Sequence, residues 1–191
     1  LCHYFNLSEV AAYWESVLNI NTWQQKRISQ LIVEKLFGTL NEKKIAILGF
    51  SFKANTNDTR ESSAIVICKD LLAEGAILNI HDPKVDSKQI EHDLGIAPIE
   101  QNASQDVIER ASCAWTYTKD IYAAAEDADA IIILTEWQEY SEINWNLLSI
   151  AMRKPSWVFD YRSIVNSDQV INSGLNLWKI GDGSLNYSGN S

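Results

Sequence analysis

The chain opens with a stretch in which apolar residues recur at helical spacing. Apolar positions three and four residues apart predict one helix from Ser8 to Phe37, with Ser8 as N-cap and Gly38 as its stop. The main apolar stripe consists of Val10, Trp14, Val17, Leu18, Ile28, Leu31, Ile32 and Leu36. A second apolar group, Tyr13, Ile20 and Trp23, lies outside this stripe. The helix is therefore either one long core helix or a connector that carries a subunit interface.

Beyond residue 41, short apolar runs alternate with segments of helical spacing, which indicates alternating strands and helices. The predicted strands are Lys44 to Phe50, Ala76 to His81, Cys113 to Tyr117, Ala130 to Leu134, Ser156 to Asp160 and Leu175 to Ile180. The predicted helices are Ser62 to Glu74, Ser87 to Leu94, Asp120 to Ala128, Trp145 to Met152 and Asp168 to Asn172. This pattern predicts an α/β fold: a doubly wound, mostly parallel sheet with helices on both faces, preceded by a long helix.

Composition fits one domain with an arm. The chain has 191 residues, of which 46% are hydrophobic. We expect a helical connector and dimerisation segment at 1–40, a ligand-binding domain at 41–181 and a flexible tail at 182–191. Because the chain begins with Leu1 rather than Met, we also expect it to be a piece of a longer protein.

Charge and targeting signals exclude several functions. The formal net charge of -9 argues against a nucleic-acid or anionic-membrane binder, which needs a basic face. No apolar run reaches the roughly 20 residues of a membrane helix, and the N-terminal residues do not form a signal peptide. The cysteines Cys2, Cys68 and Cys113 are widely spaced and suggest reduced thiols. We therefore expect a cytoplasmic protein that binds neither nucleic acid nor membrane.

Candidate chemistry is sought after the strands, because ligands of parallel sheets bind beyond the carboxyl ends. The segment after the first strand holds a single glycine, Gly49, and no Gly-x-Gly-x-x-Gly, which argues against direct NAD binding by this sheet. It does offer Lys53, Arg60 and a helix N-terminus, which suit an anionic or phosphorylated ligand. The alternative is a solvated loop whose cations pair with Asp58 and Glu61.

Later strand ends carry weaker signals. Arg162 follows a buried strand and is a candidate anion clamp, although it could instead pair with Asp160 or Asp168. Asp82 with Pro83 is interpreted as a turn, and Trp137 as a residue that packs over the sheet end or walls a pocket. The three histidines show no metal-ligand spacing, and the sequence shows no catalytic triad or activated cysteine, so we expect neither a metal site nor a nucleophile.

Several motifs, taken together, resemble one enzyme family. They are Lys44 to Lys53, Asn57 to Ser63, His81 to Lys84, Thr135 to Trp137 and Phe159 to Arg162. In order and spacing they are similar to the C-terminal part of the UDP-glucose 6-dehydrogenases, in the UDP-glucose/GDP-mannose dehydrogenase family. The resemblance runs through nearly the whole chain. The first helix is similar to the family's central helix, which joins two domains and carries much of the dimer contact.

The resemblance implies a function and two missing parts. The family oxidises the C6 alcohol of UDP-glucose to a carboxylate in two NAD-dependent steps, through a thioester on a cysteine. Its NAD-binding domain and that cysteine lie upstream of the central helix, and Cys2 does not match the Gly-Gly-Ser-Cys motif. The expectation is a Rossmann-like UDP-sugar-binding domain, inactive alone, with no catalytic residue. UDP-glucose is then the ligand, NAD is held mainly by the absent domain, and the first helix forms a homodimer or higher homo-oligomer.

The resemblance also assigns site residues. Those implied to contact the substrate are Phe52, Lys53, Ala54, Asn55, Thr56, Asn57, Asp58, Thr59 and Arg162. Arg60 matches an arginine that reaches the NAD. Tyr161 replaces a residue that is commonly small in the family, and Ala54 replaces a common Lys or Pro. A stand-alone nucleotide-sugar-binding module, or a sister dehydrogenase acting on GDP-mannose or UDP-N-acetylmannosamine, stays open as an alternative, although the run from Asp58 to Ser63 favours the UDP-glucose branch.

Overall fold

A computed structural model describes residues 2–99 and 114–182, and within them the chain forms one parallel sheet. The strands are β1 Lys44–Leu48, β2 Ile77–His81, β3 Ala114–Tyr117, β4 Ala130–Ile133, β5 Trp157–Asp160 and β6 Asn176–Lys179. Their order across the sheet is β3-β2-β1-β4-β5-β6, and every neighbouring pair is parallel. The predicted doubly wound α/β fold is confirmed.

The helices follow the predicted alternation with slightly tighter bounds. They are α1 Ser8–Lys35, α2 Ser63–Ala73, α3 Ser87–Leu94, α4 Ile121–Ala125, α5 Gln138–Ser141, α6 Trp145–Ala151 and α7 Ser167–Asn172. The single turn α5 was not predicted. The helix after β3 ends at Ala125, not at Ala128, because Glu126 adopts an extended conformation with a ψ of 125°. The predicted strand start at Cys113 and the predicted tail beyond residue 182 lie outside the described residues.

Burial on both faces explains the continuous apolar strands. Ile45 and Ile47 of β1 pack with α1, α2 and α3 on one face. Ala46 and Leu48 pack with α4, α6 and α7 on the other face. Because successive side chains of a strand point to opposite faces, a strand covered on both sides must be apolar at every position. The sheet is thus the shared wall of two hydrophobic clusters.

The first helix differs from its prediction in two ways. Its N-cap is Leu7, which makes no side-chain cap hydrogen bond, so the interpretation of Ser8 as N-cap was wrong. The N-terminal half of the predicted stripe does not face the core: Trp14 is 57% exposed and Leu18 is 64% exposed. The C-terminal half, including Ile28, Ile32 and Leu36, is buried against the sheet. Half of α1 therefore presents apolar side chains that the described residues leave uncovered.

None of the helices in the described ranges has the length and apolar character that a membrane span requires.

Candidate functional site

The strand order reverses between β1 and β4, which makes their carboxyl ends a topological switch point. Leu48 pairs with Ile133, and Ile133 pairs with Asp160, so three loops leave the sheet side by side. These loops carry the predicted substrate residues from Phe52 to Thr59 and Arg162. The fold therefore brings the two separated parts of the predicted site to one edge of the sheet.

Gly49 lets the loop that follows β1 pass very close to Thr135, just beyond the end of β4. Its φ is +93°, and a Cβ built on it would lie 2.5 Å from the Cβ of Thr135. Any side chain here would therefore meet both a strained backbone and a collision. Glycine at this position serves the turn, and it is not part of a dinucleotide-binding glycine motif.

Three residues fix the start of the loop. The backbone N–H groups of Phe50 and Ser51 donate to Oδ2 of Asp82, at 2.8 and 3.0 Å. The hydroxyl of Thr135 donates to the Ser51 carbonyl at 2.7 Å, and that of Ser62 donates to the Phe50 carbonyl at 2.8 Å. All three polar side chains are buried, so these hydrogen bonds are shielded from water. The loop thus leaves the sheet from a rigid base.

Asp82 does more than form the predicted turn. Its Oδ1 accepts hydrogen bonds from the backbone N–H groups of Lys84 and Val85, both at 2.9 Å. The indole N–H of Trp137 also donates to Oδ2, at 3.3 Å, while the Trp137 ring is buried over the sheet end. One buried carboxylate thereby joins the loops that follow β1, β2 and β4. An acid directly after a buried strand was the only sequence signal for this role.

The predicted substrate loop folds back on itself after this base. The backbone N–H of Phe52 donates to the Asp58 carbonyl at 2.8 Å, which closes the loop between them. Asn55 adopts a positive φ of 67°, a conformation that asparagine tolerates better than most residues. The Phe52 ring is 49% exposed, and the exposed Lys53 ammonium forms no ion pair with any residue of the described ranges.

Asp58 and Arg60 form a bidentate ion pair on the surface of this loop. The guanidinium of Arg60 donates to both carboxylate oxygens of Asp58, at 2.9 and 2.7 Å. The hydrogen bonds from the Arg60 side chain and backbone, with its charge, lower the pKa of Asp58 to about 2. The pairing of Arg60 with Asp58, which the sequence left as an alternative to ligand binding, is the arrangement that the structure contains.

The guanidinium of Arg162 makes its contacts with the described residues through Nε. Its Nε donates to the Leu134 carbonyl at 2.6 Å and lies 3.3 Å from Oε2 of Glu136. Asp160 accepts a hydrogen bond from the Arg162 backbone N–H at 3.0 Å and does not pair with its guanidinium. Within the described ranges, the terminal nitrogen atoms of Arg162 make no hydrogen bond. They are the groups with which a guanidinium binds a phosphate.

A cavity of about 510 Å³ lies between α1 and the carboxyl ends of the strands. Phe52 and Arg162 both line it, together with Leu134, Tyr161 and several α1 residues. Its volume falls in the usual range for small-molecule sites. Of the predicted substrate residues, Lys53, Ala54, Asn55, Thr56, Asp58 and Thr59 do not line it, and neither does Arg60.

A smaller cavity lies on the other side of the same loop. Its volume is about 330 Å³, and Asn57 lines it together with Lys84, Lys88 and His92. The predicted substrate loop therefore borders two cavities, with Phe52 facing the larger one and Asn57 facing the smaller one. Only the larger one combines an aromatic side chain with an arginine that has open donors.

A buried histidine, His81, lies near the site. Nδ1 of His81 lies 2.9 Å from the Tyr140 hydroxyl, and both rings are buried. Burial lowers the pKa of His81, which keeps the ring neutral, and burial raises the pKa of Tyr140. Within residues 2–99 and 114–182 we find no group of His, Cys, Asp and Glu side chains that could hold a metal ion.

The fold defines a doubly wound α/β domain with a cavity of small-molecule size at the switch point. A sequence model described as "UDP-glucose/GDP-mannose dehydrogenase family, UDP binding domain" matches residues 46–167. The chain belongs to the UDP-glucose/GDP-mannose dehydrogenase family, which confirms the resemblance seen in its motifs.

Individual relatives agree with this membership. The chain is 41% identical to UDP-glucose 6-dehydrogenase of Drosophila melanogaster and 44% identical to that of Caenorhabditis elegans, each over 95% of its length. It spans only 37% and 36% of those two proteins. A solved UDP-glucose dehydrogenase from Pyrobaculum islandicum shares the fold, with a TM-score of 0.61 and 24% identity over 86% of this chain and 31% of that one.

Proposed function

We propose that this chain is the C-terminal, UDP-sugar-binding portion of an NAD-dependent UDP-glucose 6-dehydrogenase, which oxidises UDP-glucose to UDP-glucuronate. The observation that carries the proposal is the cavity at the switch point, which both Phe52 and Arg162 line although they are 110 positions apart in sequence. The identity of above 40% to two UDP-glucose 6-dehydrogenases supports the choice of substrate.

In this proposal the cations of the site receive the diphosphate. Arg162 offers its terminal nitrogens, and Lys53 offers an unpaired ammonium on the adjacent loop. Phe52 offers a half-exposed ring for apolar contact. The remaining loop residues, from Ala54 to Thr59, shape the rim. Glu61 lines the same cavity and Glu136 lies beside Arg162, so the two cations offset these nearby carboxylates when an anion binds.

The connection from β1 to α2 lacks the glycine motif of a dinucleotide site. The connection from β1 to α2 contains one glycine, and its φ and contacts serve the turn. Arg60 is exposed but already paired with Asp58. We therefore propose that a part of the protein outside this chain holds most of the NAD, that the catalytic cysteine also lies there, and that Arg60 reaches the cofactor from the rim. NAD supplies a hydride acceptor when it is bound.

The assembly and location of the protein are further parts of this proposal. Tyr13, Ile20 and Trp23 are each more than half exposed on α1, which supports a homodimer or higher homo-oligomer through this helix. We divide the chain into a connector and dimerisation segment at 1–40, a UDP-sugar-binding domain at 41–181 and a tail at 182–191. We place the protein in the cytoplasm.

Calorimetric titration of the 191-residue chain tests the ligand assignment. We expect UDP and UDP-glucose to bind weakly, because the proposed site is closed by a part of the protein outside this chain, and we expect no binding of NAD. Arg162→Gln and Lys53→Ala should each weaken UDP binding by about tenfold, which corresponds to the loss of one charge-assisted hydrogen bond. Lys69→Ala, which removes an exposed charge from α2, should leave binding unchanged.

Two results would contradict the assignment. Tight binding of NAD without binding of UDP would exclude a substrate domain, and stronger binding of GDP-mannose than of UDP-glucose would favour a sister dehydrogenase. The activity itself is tested on the complete protein, in which UDP-glucose should drive NAD reduction and Arg162→Gln should raise the KM for UDP-glucose.

A further inference from the structure

One wall of the large cavity comes from α1, which lies outside the matched segment 46–167. The α1 residues that line the cavity are Leu18, Asn21, Thr22, Gln24, Gln25 and Ile28. They face Phe52 and Arg162 across the same space of about 510 Å³. A ligand that contacts Arg162 inside this cavity therefore lies within reach of α1.

The α1 wall is polar but uncharged. Asn21, Gln24 and Gln25 provide three amide groups, each with two N–H donors and a carbonyl acceptor. In the described ranges none of these three side chains makes a hydrogen bond, whereas Thr22 donates to the Leu18 carbonyl. Gln24 and Gln25 are partly buried where they line the cavity. Neutral amides suit hydroxyl, imide and carbonyl groups better than phosphates.

Tyr161 is a further polar residue at the cavity. It lines the same cavity, is 7% exposed, and its hydroxyl makes no hydrogen bond within the described ranges. Burial raises the pKa of Tyr161, which keeps its hydroxyl protonated. Because the hydroxyl oxygen itself is fully enclosed, the remainder of the Tyr161 side chain, and not its hydroxyl, borders the cavity.

We propose that Gln24 and Gln25 of α1 bind the neutral, hydrogen-bonding part of the UDP-sugar while Arg162 binds its diphosphate. This inference rests on the proposed function. The neutral groups are either those of the uridine or those of the hexose. The substrate site is then formed jointly by the sheet and α1, and a segment limited to residues 46–167 lacks one wall of it.

Nuclear magnetic resonance of the whole 191-residue chain tests this inference, because side-chain amide signals report contacts even when binding is weak. UDP and UDP-glucose are titrated separately. We expect the side-chain amide signals of Gln24 and Gln25 to shift, and we expect Gln24→Ala combined with Gln25→Ala to raise the Kd about five- to tenfold. Alanine is the best helix former, so this variant keeps α1 intact. Gln30→Ala, an exposed change on the same helix that lies outside the cavity, is the matched control.

The ligands separate the possible outcomes. Shifts with UDP alone assign the contact to the uridine, and shifts that require UDP-glucose assign it to the hexose; both support the inference. Shifts of the backbone signals of Phe52 and Arg162 without any change at Gln24 or Gln25, and with an unchanged Kd in the double variant, overturn the inference but leave the proposed function standing. An absence of shifts with either ligand overturns both.

Discussion

At the residue scale, two buried aspartates organise the loops and leave the cations for a ligand. Asp82 directly follows β2 and Asp160 is the last residue of β5. Both are almost completely buried and accept hydrogen bonds from backbone N–H groups of the loop that begins there. Asp160 accepts from Arg162 and from Val165, at 3.0 and 2.9 Å. Because these carboxylates are satisfied by the backbone, they do not neutralise Lys53 or the far end of Arg162.

The substitution Asp82→Asn tests this organising role. An amide replaces one acceptor oxygen by a donor that faces backbone N–H groups, so buried donors lose their partner. We expect the free energy of unfolding to fall by about 2–4 kcal/mol, measured by urea denaturation. The control Glu91→Gln, an exposed change on α3, should stay within about 0.5 kcal/mol of the original chain. An equally small effect at Asp82 would show that it is dispensable to the loops.

The ion pair of Asp58 and Arg60 gives a pH prediction. The pKa of Asp58 in the folded chain is about 2, below its ordinary value of 3.8, chiefly because Arg60 hydrogen-bonds it. The pair therefore stabilises the fold above about pH 4, and that contribution is lost as the pH falls toward 2. We expect Arg60→Gln to raise the pKa of Asp58 toward 3.8 in an NMR titration. Lys53→Gln should raise it much less, and equal effects of both variants would exclude the hydrogen bond as the main cause.

Sequence reasoning at this scale found the charged residues but not their partners. Lys53, Asp58, Arg60 and Arg162 were identified from their residue types and positions after strands. That Arg60 pairs with Asp58 was one of two alternatives, and the contact of Arg162 with Glu136 was not considered. The five hydrogen bonds accepted by Asp82 depend on three loops meeting in space, which no local pattern encodes.

At the element scale, apolar runs predicted the strands well and helix ends less well. The predicted strands that lie within the described residues are present, and most are one or two residues shorter than their apolar runs. Phe50, for example, is buried beyond the end of β1, where its backbone N–H donates to Asp82 and not to a neighbouring strand. Ala128 had been assigned to a helix because it is apolar, yet it is buried beyond the end of α4. At the end of a helix a residue can thus be buried without being helical, and a pattern of apolar residues predicts only its burial.

A comparison of Gly49 with Gly95 distinguishes the energetic cost of steric crowding from the cost of a strained backbone conformation. Gly49 has a φ of +93° and no room for a Cβ, whereas Gly95 has a φ of +72° and open space around it. We expect Gly95→Ala to cost about 1–2 kcal/mol from the left-handed backbone alone. Gly49→Ala should cost about 2–5 kcal/mol, because the collision with Thr135 adds to the strain. The free energy of unfolding of both variants is measured by urea denaturation. An equal decrease in the two would show that Thr135, just beyond β4, moves to accommodate the added methyl group.

At the scale of the whole molecule, the site exists because of the strand order. The carboxyl ends of β1, β4 and β5 are adjacent only in the order that the sheet adopts. The alternation of elements predicted the sheet and its parallel direction, but the order of the strands depends on how the connections pack and could not be predicted from the pattern. For the same reason, only the family resemblance predicted that Phe52 and Arg162 belong to one site. The contribution of α1 to the cavity was not predicted.

The exposed half of α1 carries the last prediction. Tyr13, Ile20 and Trp23 are 63%, 62% and 58% exposed, an apolar surface that is costly to leave in water. If a second copy covers it, the chain of 21.6 kDa should sediment as a dimer. Combining Tyr13→Glu with Ile20→Glu should make it monomeric, because two buried unpaired charges cost several kcal/mol at an interface. Gln30→Glu, a polar position on the same helix, should leave the dimer intact. A chain that stays monomeric at high concentration without any substitution would refute this face as the subunit interface.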